Sequence, residues 1–169
     1  MIPKIDDAVM GDSTSHDSTG RPSRLRYLLT DVRPFYFVTF NTAGRAKVLA
    51  DVGVHDVFCR FCAQGRLHGV VVGRYVIMPD HVHLFVAFSG ASISLSSWVK
   101  SLRSVMGKHL LEMKIEKPHW QRGFFDHVLR SEESYSEKWE YVRDNPIRAS
   151  LCEHVADWPF QGEIEVLRF

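Results

Sequence analysis

Apolar and polar positions along the chain alternate in short β-like runs, separated by longer stretches of helical spacing. Phe35 to Thr42, FYFVTFNT, is aromatic and β-branched and runs into the turn formers Asn41-Thr42-Ala43-Gly44, so it predicts a strand. In DVGVHDVFCRFCAQGRLHG, Val54, Val57, Phe58, Phe61 and Cys62 recur at helical intervals, and Gly65 or Gly69 supplies a stop. VVVGRYVIMP and HVHLFVAF follow as two strands broken at Met78-Pro79-Asp80, where proline cannot donate to a ladder and aspartate favours a turn. That pair predicts a hairpin. SISLSSWVKSLRSVMGKHLLEM opens on serine caps and puts Leu95, Trp98, Val99, Leu102, Val105, Met106 and Leu110 on the stripe of an amphipathic helix. GFFDHVLR predicts a fourth strand, weakened by Asp126 and His127. SEESYSEKWEYVRDNP predicts a last helix that starts at Ser131 and runs to Asn145-Pro146.

The resulting order is strand, helix, strand, strand, helix, strand. It is the order of the ferredoxin-like split βαβ unit, so the expected fold is α+β: an antiparallel sheet with two helices on one face and an additional C-terminal helix. Residues 1–23, with GDSTSHDSTGRPS, are polar and aperiodic and predict a flexible tail, leaving 24–169 as one domain. No apolar run approaches the roughly 18 residues that span a bilayer, and the N-terminus lacks the charged-then-apolar order of a secretion signal. A cytoplasmic protein with no membrane partner is expected.

Charge narrows the picture only a little. Lys and Arg number 21 against 20 Asp and Glu, a net charge of +1, so no bulk positive field draws in nucleic acid and any such contact must come from local patches. The three cysteines, Cys59, Cys62 and Cys152, do not make a disulfide framework. Cys59 and Cys62 have CxxC spacing but no second CxxC to complete a four-ligand site, and they read as small apolar fillers on the first helix.

The chemistry sits in an anomaly of the pattern. YVIMPDHVHLFVAF carries Asp80, His81 and His83 between runs apolar enough for covered strands, and His81 and His83, one residue apart, share a strand face. Two imidazoles on one face can offer two nitrogens to one divalent ion. Tyr141 and Asn145, four apart in the last helix, would stack a phenol and an amide near the same point, although Pro146 biases Asn145 toward the helix end. The competing reading is structural: the histidines as satisfied sheet residues, and Tyr141 packed on Trp139 or Val142.

MPDHVHLFV resembles the HUH motif, histidine-hydrophobic-histidine, of the single-tyrosine, IS200-like transposases that cut single-stranded DNA. HWQRGFFDHVLRSEESYSEKWEYVRDNPIRASL resembles the second half of their REP-associated branch, which shares a Trp-Gln, an FFDH strand, an arginine after it, and a helix ending in tyrosine, three residues and Asn-Pro. The similarity runs over about residues 24 to 160; many members of that branch carry a basic segment and a Gly-Gly-Thr where this chain has RLRYLLTDVRPFYF.

Position by position, the resemblance implies that His81 and His83 bind a metal ion, that Asn145 is its third ligand, and that Tyr141 is the nucleophile. It also implies the ferredoxin-like fold, a hairpin or single-stranded DNA partner, a monomer or homodimer, and nicking with strand transfer through a 5′-phosphotyrosine. The implied cofactor is a divalent cation, magnesium by availability, with manganese suited to a nitrogen-rich site. Lys100, Arg103, Arg122 and Arg130 are candidate phosphate contacts, Trp120 a candidate stacking platform and His127 a candidate DNA contact. Two other functions stand beside strand transfer: a domesticated single-strand-binding module, for which a tyrosine at that place is superfluous, and a metal-dependent hydrolase, for which a carboxylate ligand set is not evident.

Overall fold

The computed structural model describes residues 35–89 and 93–168; the expected tail, 1–23, and the expected start of the domain near Arg24 lie outside them. Five strands form one antiparallel sheet: β1 (Phe35–Asn41), β2 (Val70–Met78), β3 (His81–Phe88), β4 (Phe125–Leu129) and β5 (Gln161–Glu163), in the spatial order β4-β1-β3-β2-β5. The longer helices are α1 (Val52–Gln64), α2 (Leu95–Glu112) and α3 (Glu132–Arg143), followed by the single turn α4 (Asn145–Arg148). The first four strands with α1 and α2 are the ferredoxin-like arrangement expected from the element order. β5 is an addition: three polar-leaning residues, QGE, that carry no alternation and reach strand geometry by pairing with β2 through Tyr75↔Gly162.

Local chemistry sets the helix ends. The Asp51 carboxylate accepts hydrogen bonds from the backbone amides of Gly53 and Val54 and caps α1. Ser94 caps α2, and Ser131 with Ser134 forms a reciprocal capping box on α3, as the serine-rich starts imply. α3 ends at Arg143, short of the Asn145-Pro146 expected from the pattern, and Asn145 opens α4.

Helices cover both faces of the sheet. Val38, Phe40, Tyr75, Ile77, Val82, Leu84 and Val86 pack with Val54, Phe58, Cys62, Trp98, Leu102 and Met106, so α1 and α2 lie on one face. On the other, Phe35, Phe37, Val76, Met78, Phe85 and Ala87 pack with Tyr135, Val142 and Trp158, so α3 and the C-terminal segment lie there. A bulge between Val72 and Tyr75 lets Val72 and Tyr75 both join the first layer despite their odd spacing. A Cβ on Gly73, in that bulge, would come within 2.7 Å of the Leu167 side chain, which would have to shift. Cys62 is a buried filler as expected, whereas Cys59 sits 3.2 Å from the Tyr75 hydroxyl, which His55 Nε2 also meets at 2.8 Å. Among the described residues no helix is long and apolar enough to cross a membrane.

β3 therefore lies at the centre, and its consecutive buried run Leu84-Phe85-Val86-Ala87 follows from cover on both sides. Leu84→Ala is expected to cost about 3 kcal/mol, since a fully buried central side chain leaves a cavity that the neighbouring strands cannot close. Chemical denaturation checks it, and a loss below about 1 kcal/mol would show a more plastic core than this packing implies.

Candidate functional site

His81 and His83 occupy the end of β3 where the second layer thins. His81 pairs across the sheet with Asn41 and Met78, and His83 with Thr39 and Val76, so both project toward the α3 side, one pleat apart. Their rings meet edge to face with centroids 4.7 Å apart. Both side chains are half-buried.

Each ring is fixed through Nδ1. His81 Nδ1 donates to the Asp80 carboxylate at 2.6 Å, and the other oxygen of Asp80 is held by Arg45 Nε at 2.8 Å. His83 Nδ1 is 2.7 Å from the Thr39 hydroxyl, which can accept its proton, and the ring stacks on Phe37 at 5.5 Å. No hydrogen bond among the described residues engages either Nε2. This is how ligating histidines are oriented: a partner on one nitrogen selects the tautomer and leaves the other as a lone pair.

The turn that carries Asp80 is itself braced. The Thr42 amide and hydroxyl both donate to Asp80 O, and the amides of Val48 and Leu49 donate to Pro79 O. Arg45 reaches Asp80 from a left-handed backbone conformation, φ 57°, and its other arm meets Asn41 Oδ1 at 2.6 Å. Asn41 in turn contacts Gln121, by side chain at 3.3 Å and by backbone at 3.0 Å.

Burial and the surrounding positive charges make both imidazoles poor bases. His83 is pushed down to about 3, first by burial and then by the charges of His81, Arg45, Lys138 and Arg148. His81 is lowered by burial, with Asp80 opposing the shift. Neutral imidazoles are the form that binds a cation.

The other predicted residues stand at the α3–α4 junction. Tyr141, on the last turn of α3, is exposed at 63%, in contrast to the buried Tyr135 one and a half turns earlier. Its ring lies under the Arg148 guanidinium, 4.2 Å from the centroid, and Arg148 also donates to the Tyr141 carbonyl and to Asn145 Oδ1. The charge of Arg148 is felt at His83, as is that of Lys138, which sits 5.5 Å from the Phe37 ring. Arg148 thus links the two ends of the expected set, touching Tyr141 and Asn145 by contact and His83 by its charge. Tyr141 and Asn145 stand on two short helices that meet at Asp144, and Arg148 bridges them, over the ring of the one and on the amide oxygen of the other. Arg148, Thr39 and Arg45 are absent from the sequence-based reading; the paired polar ends of β1 and β3 were the available signal for Thr39, and nothing local marked the two arginines.

The remaining candidates fall into two groups away from this point. His127 and Arg130 line one cleft beside β4, and both are exposed. By register His127 pairs with Phe37 and Asp126 with Val38, so His127 is the one on the α3 side. Lys100 is exposed on α2 and Arg122 on the loop that follows it. Arg103 is instead occupied, donating to the carbonyls of Gln121 and Gly123 and lying over the Trp120 ring at 5.6 Å. Trp120 donates to Arg103 O and abuts Phe40, so its ring holds the loop to α2.

The sequence model of the family described as "Transposase IS200 like" matches residues 35–145, and the chain belongs to that family. It is 24% identical over 96 residues to a Haemophilus influenzae protein provisionally named a REP-associated tyrosine transposase, a match covering 51% of this chain and 54% of that protein. The chain thus spans about half the length of that relative. An uncharacterized protein of the same organism is 24% identical over 158 residues, covering 75% of this chain and 88% of its own length. In fold, the chain resembles a REP-associated tyrosine transposase solved bound to a REP hairpin, with a TM-score of 0.63 at 21% identity, covering 76% of this chain and 75% of the other.

The depressed His83 has a consequence for stability. The unfolded chain takes a proton near the ordinary value of 6.5 and the folded one does not until about 3, so stability contributed by this residue is present above 6.5 and lost as the pH falls below it. Between pH 7 and pH 5 the loss is expected to be on the order of 2 kcal/mol. It should shrink markedly in His83→Gln, as read by denaturation at the two pH values; an equal loss in both proteins would contradict it.

Proposed function

We propose that this protein nicks single-stranded DNA and transfers the cut strand through Tyr141, with a divalent cation held by His81, His83 and Asn145. The observation that carries the reading is the matched orientation of the two imidazoles, each held at Nδ1 with Nε2 open and neutral. The donor set fits a divalent cation in two of its three members. Asn145 is the third, and its amide oxygen, held by Arg148, would have to be released to join them. When bound, such an ion, magnesium by availability or manganese by donor type, supplies charge neutralisation at a non-bridging phosphate oxygen.

The chain's own residues do the rest. Asp80 keeps the His81 imidazole in the required tautomer, and Thr39 fixes the orientation of the His83 ring. The exposed Tyr141 hydroxyl attacks phosphorus and the bond to the 3′-oxygen breaks. The result is a 5′-phosphotyrosine and a free 3′-hydroxyl, which takes up the proton that the phenol gives up. The number of phosphoester bonds is unchanged, so rejoining needs no nucleotide cofactor. Arg148, beside the phenol ring, is placed to balance phenolate charge and to meet the incoming phosphate. The exposure of Tyr141 supports transfer over a binding-only role, since a tyrosine kept for packing would be covered as Tyr135 is.

The substrate proposed is a hairpin with a single-stranded flank, cut in that flank, in line with the REP hairpin bound by the relative in fold. Tyr141→Phe keeps ring and fold and is expected to abolish cleavage of such an oligonucleotide while leaving its binding within about twofold. His83→Ala and excess EDTA should each do the same to cleavage. Wild-type rates from Tyr141→Phe, cleavage indifferent to EDTA, or equal cutting of a plain duplex would each contradict the proposal.

A further inference from the structure

One cation beside the site takes no part in the chemistry above. Lys138 stands on α3 three residues before Tyr141, so the two side chains are neighbours on one flank of the helix, about 4.5 Å apart along its axis. They differ in depth. Tyr141 is turned to solvent, whereas Lys138 is half-buried and lies inward, its Nζ 5.5 Å from the ring centre of the buried Phe37. Phe37 in turn stacks on the His83 ring, with 5.5 Å between centroids and 18° between planes. The ammonium is thus held over the ring that backs His83, and its charge is among those that lower the proton affinity of that imidazole. No ion pair among the described residues engages it. A cation drawn partly out of water and faced only by an aromatic ring is short of an anion.

The proposed transfer supplies one. As the bond from phosphorus to the 3′-oxygen breaks, negative charge gathers on that oxygen, and it leaves as a costly alkoxide unless a proton reaches it. Attack in line sets the leaving oxygen on the far side of phosphorus from the nucleophile. With Tyr141 on the solvent side of α3, that direction is inward, toward the sheet, where Lys138 stands. The neighbouring groups are unsuited to give the proton. Arg148 and Arg45 are guanidiniums, which do not release protons in proteins. The imidazoles of His81 and His83 are neutral and face the proposed cation, and the Asp80 carboxylate is held between His81 and Arg45. His127 is the rival: it pairs with Phe37 and shares its face of the sheet, but it is exposed on the edge strand β4.

We propose that Lys138 is a further catalytic residue, whose ammonium gives a proton to the 3′-oxygen as the strand is cut and whose amine takes it back from the 3′-hydroxyl when the strand is rejoined. In cutting, a bond forms from the Tyr141 phenolic oxygen to phosphorus, and the bond from phosphorus to the 3′-oxygen breaks with its electron pair going to oxygen. A proton of Lys138 passes to that oxygen. The phenolic proton goes to water and the neutral amine is recharged from water, so no proton is gained or lost overall. The inference rests on the functional reading above in taking Tyr141 as nucleophile and a single DNA strand as substrate.

The test compares two substrates for the full chain: a hairpin with a single-stranded flank, and the same DNA with sulfur in place of the 3′-oxygen at the bond that the wild type cuts. A thiolate leaves without a proton. Lys138→Met keeps an alkyl stem on Phe37, so it should retain the wild-type melting temperature and bind either DNA in EDTA within about twofold of the wild type. It is expected to cut the oxygen substrate at least about a hundredfold more slowly and the sulfur substrate within about threefold of the wild-type rate. Lys138→Arg keeps the charge but cannot give up the proton, and should behave as Lys138→Met does. Equal slowing on both substrates, or a Lys138→Arg protein that cuts the oxygen substrate at the wild-type rate, reduces the residue to a fixed charge and overturns the inference. So does wild-type cutting of both substrates by Lys138→Met, or rescue by sulfur found in His127→Gln instead. Each of those results leaves the functional reading standing, since the wild type still cuts and Tyr141→Phe does not. A wild type that cuts neither substrate brings down that reading and the inference with it.

Discussion

Everything at the site depends on how the Pro79-Asp80 turn is held. Four backbone and side-chain donors from the stretch after β1 converge on its two carbonyls, and Arg45 fixes the Asp80 carboxylate from outside. A two-residue turn so braced cannot rotate, and His81, the next residue, inherits its orientation. His83 is set by an independent contact, Thr39, on the neighbouring strand. Two rings pinned from two directions, at 4.7 Å between centroids, form a rigid bidentate donor at the margin of an apolar core. The cost of that position is visible in their depressed proton affinity, and the same depression keeps them neutral.

The central strand explains why such a site is stable where it is. Helices on both faces of the sheet make β3 apolar from Leu84 to Ala87, and only its first residues lie where α3 gives way to the α3–α4 break. Polar side chains can therefore project there without entering the core. The break at Asp144 has a matching effect on the other partner. It leaves Tyr141 on the last turn of α3 in solvent and turns Asn145 toward Arg148. In the proposed mechanism the contacts of Arg148 with Tyr141 and Asn145 are the ones that a bound phosphate would exchange.

Much of this was legible in the sequence, because the relevant signals are local. Period-two runs located β1 to β4, and Pro79-Asp80 located the hairpin. The serine caps fixed where α2 and α3 begin, and the two histidines stood out as polar residues on an apolar strand. β5 was not legible, since three residues without alternation become a strand only through β2. The length of α3 was overestimated because Pro146 tolerates a first helical turn, so the chain re-enters helix as α4 after stopping at Arg143. Arg103 and Trp120 have the composition of nucleic-acid contacts, yet each finds its partner in the other across a loop, which no spacing rule exposes. Arg45 and Arg148 illustrate the same limit. Their significance lies in where a turn and a helix break aim them.

The proposed account turns on a covalent bond to one phenolic oxygen. Incubation of the protein with a hairpin bearing a single-stranded flank and magnesium, followed by proteolysis and mass spectrometry of the peptide–DNA adduct, reads that bond directly. The account predicts an adduct on the peptide containing Tyr141, attached through the 5′-phosphate of the cut strand. Cleavage that proceeds with no adduct, or with one on Tyr135 or another side chain, would contradict it.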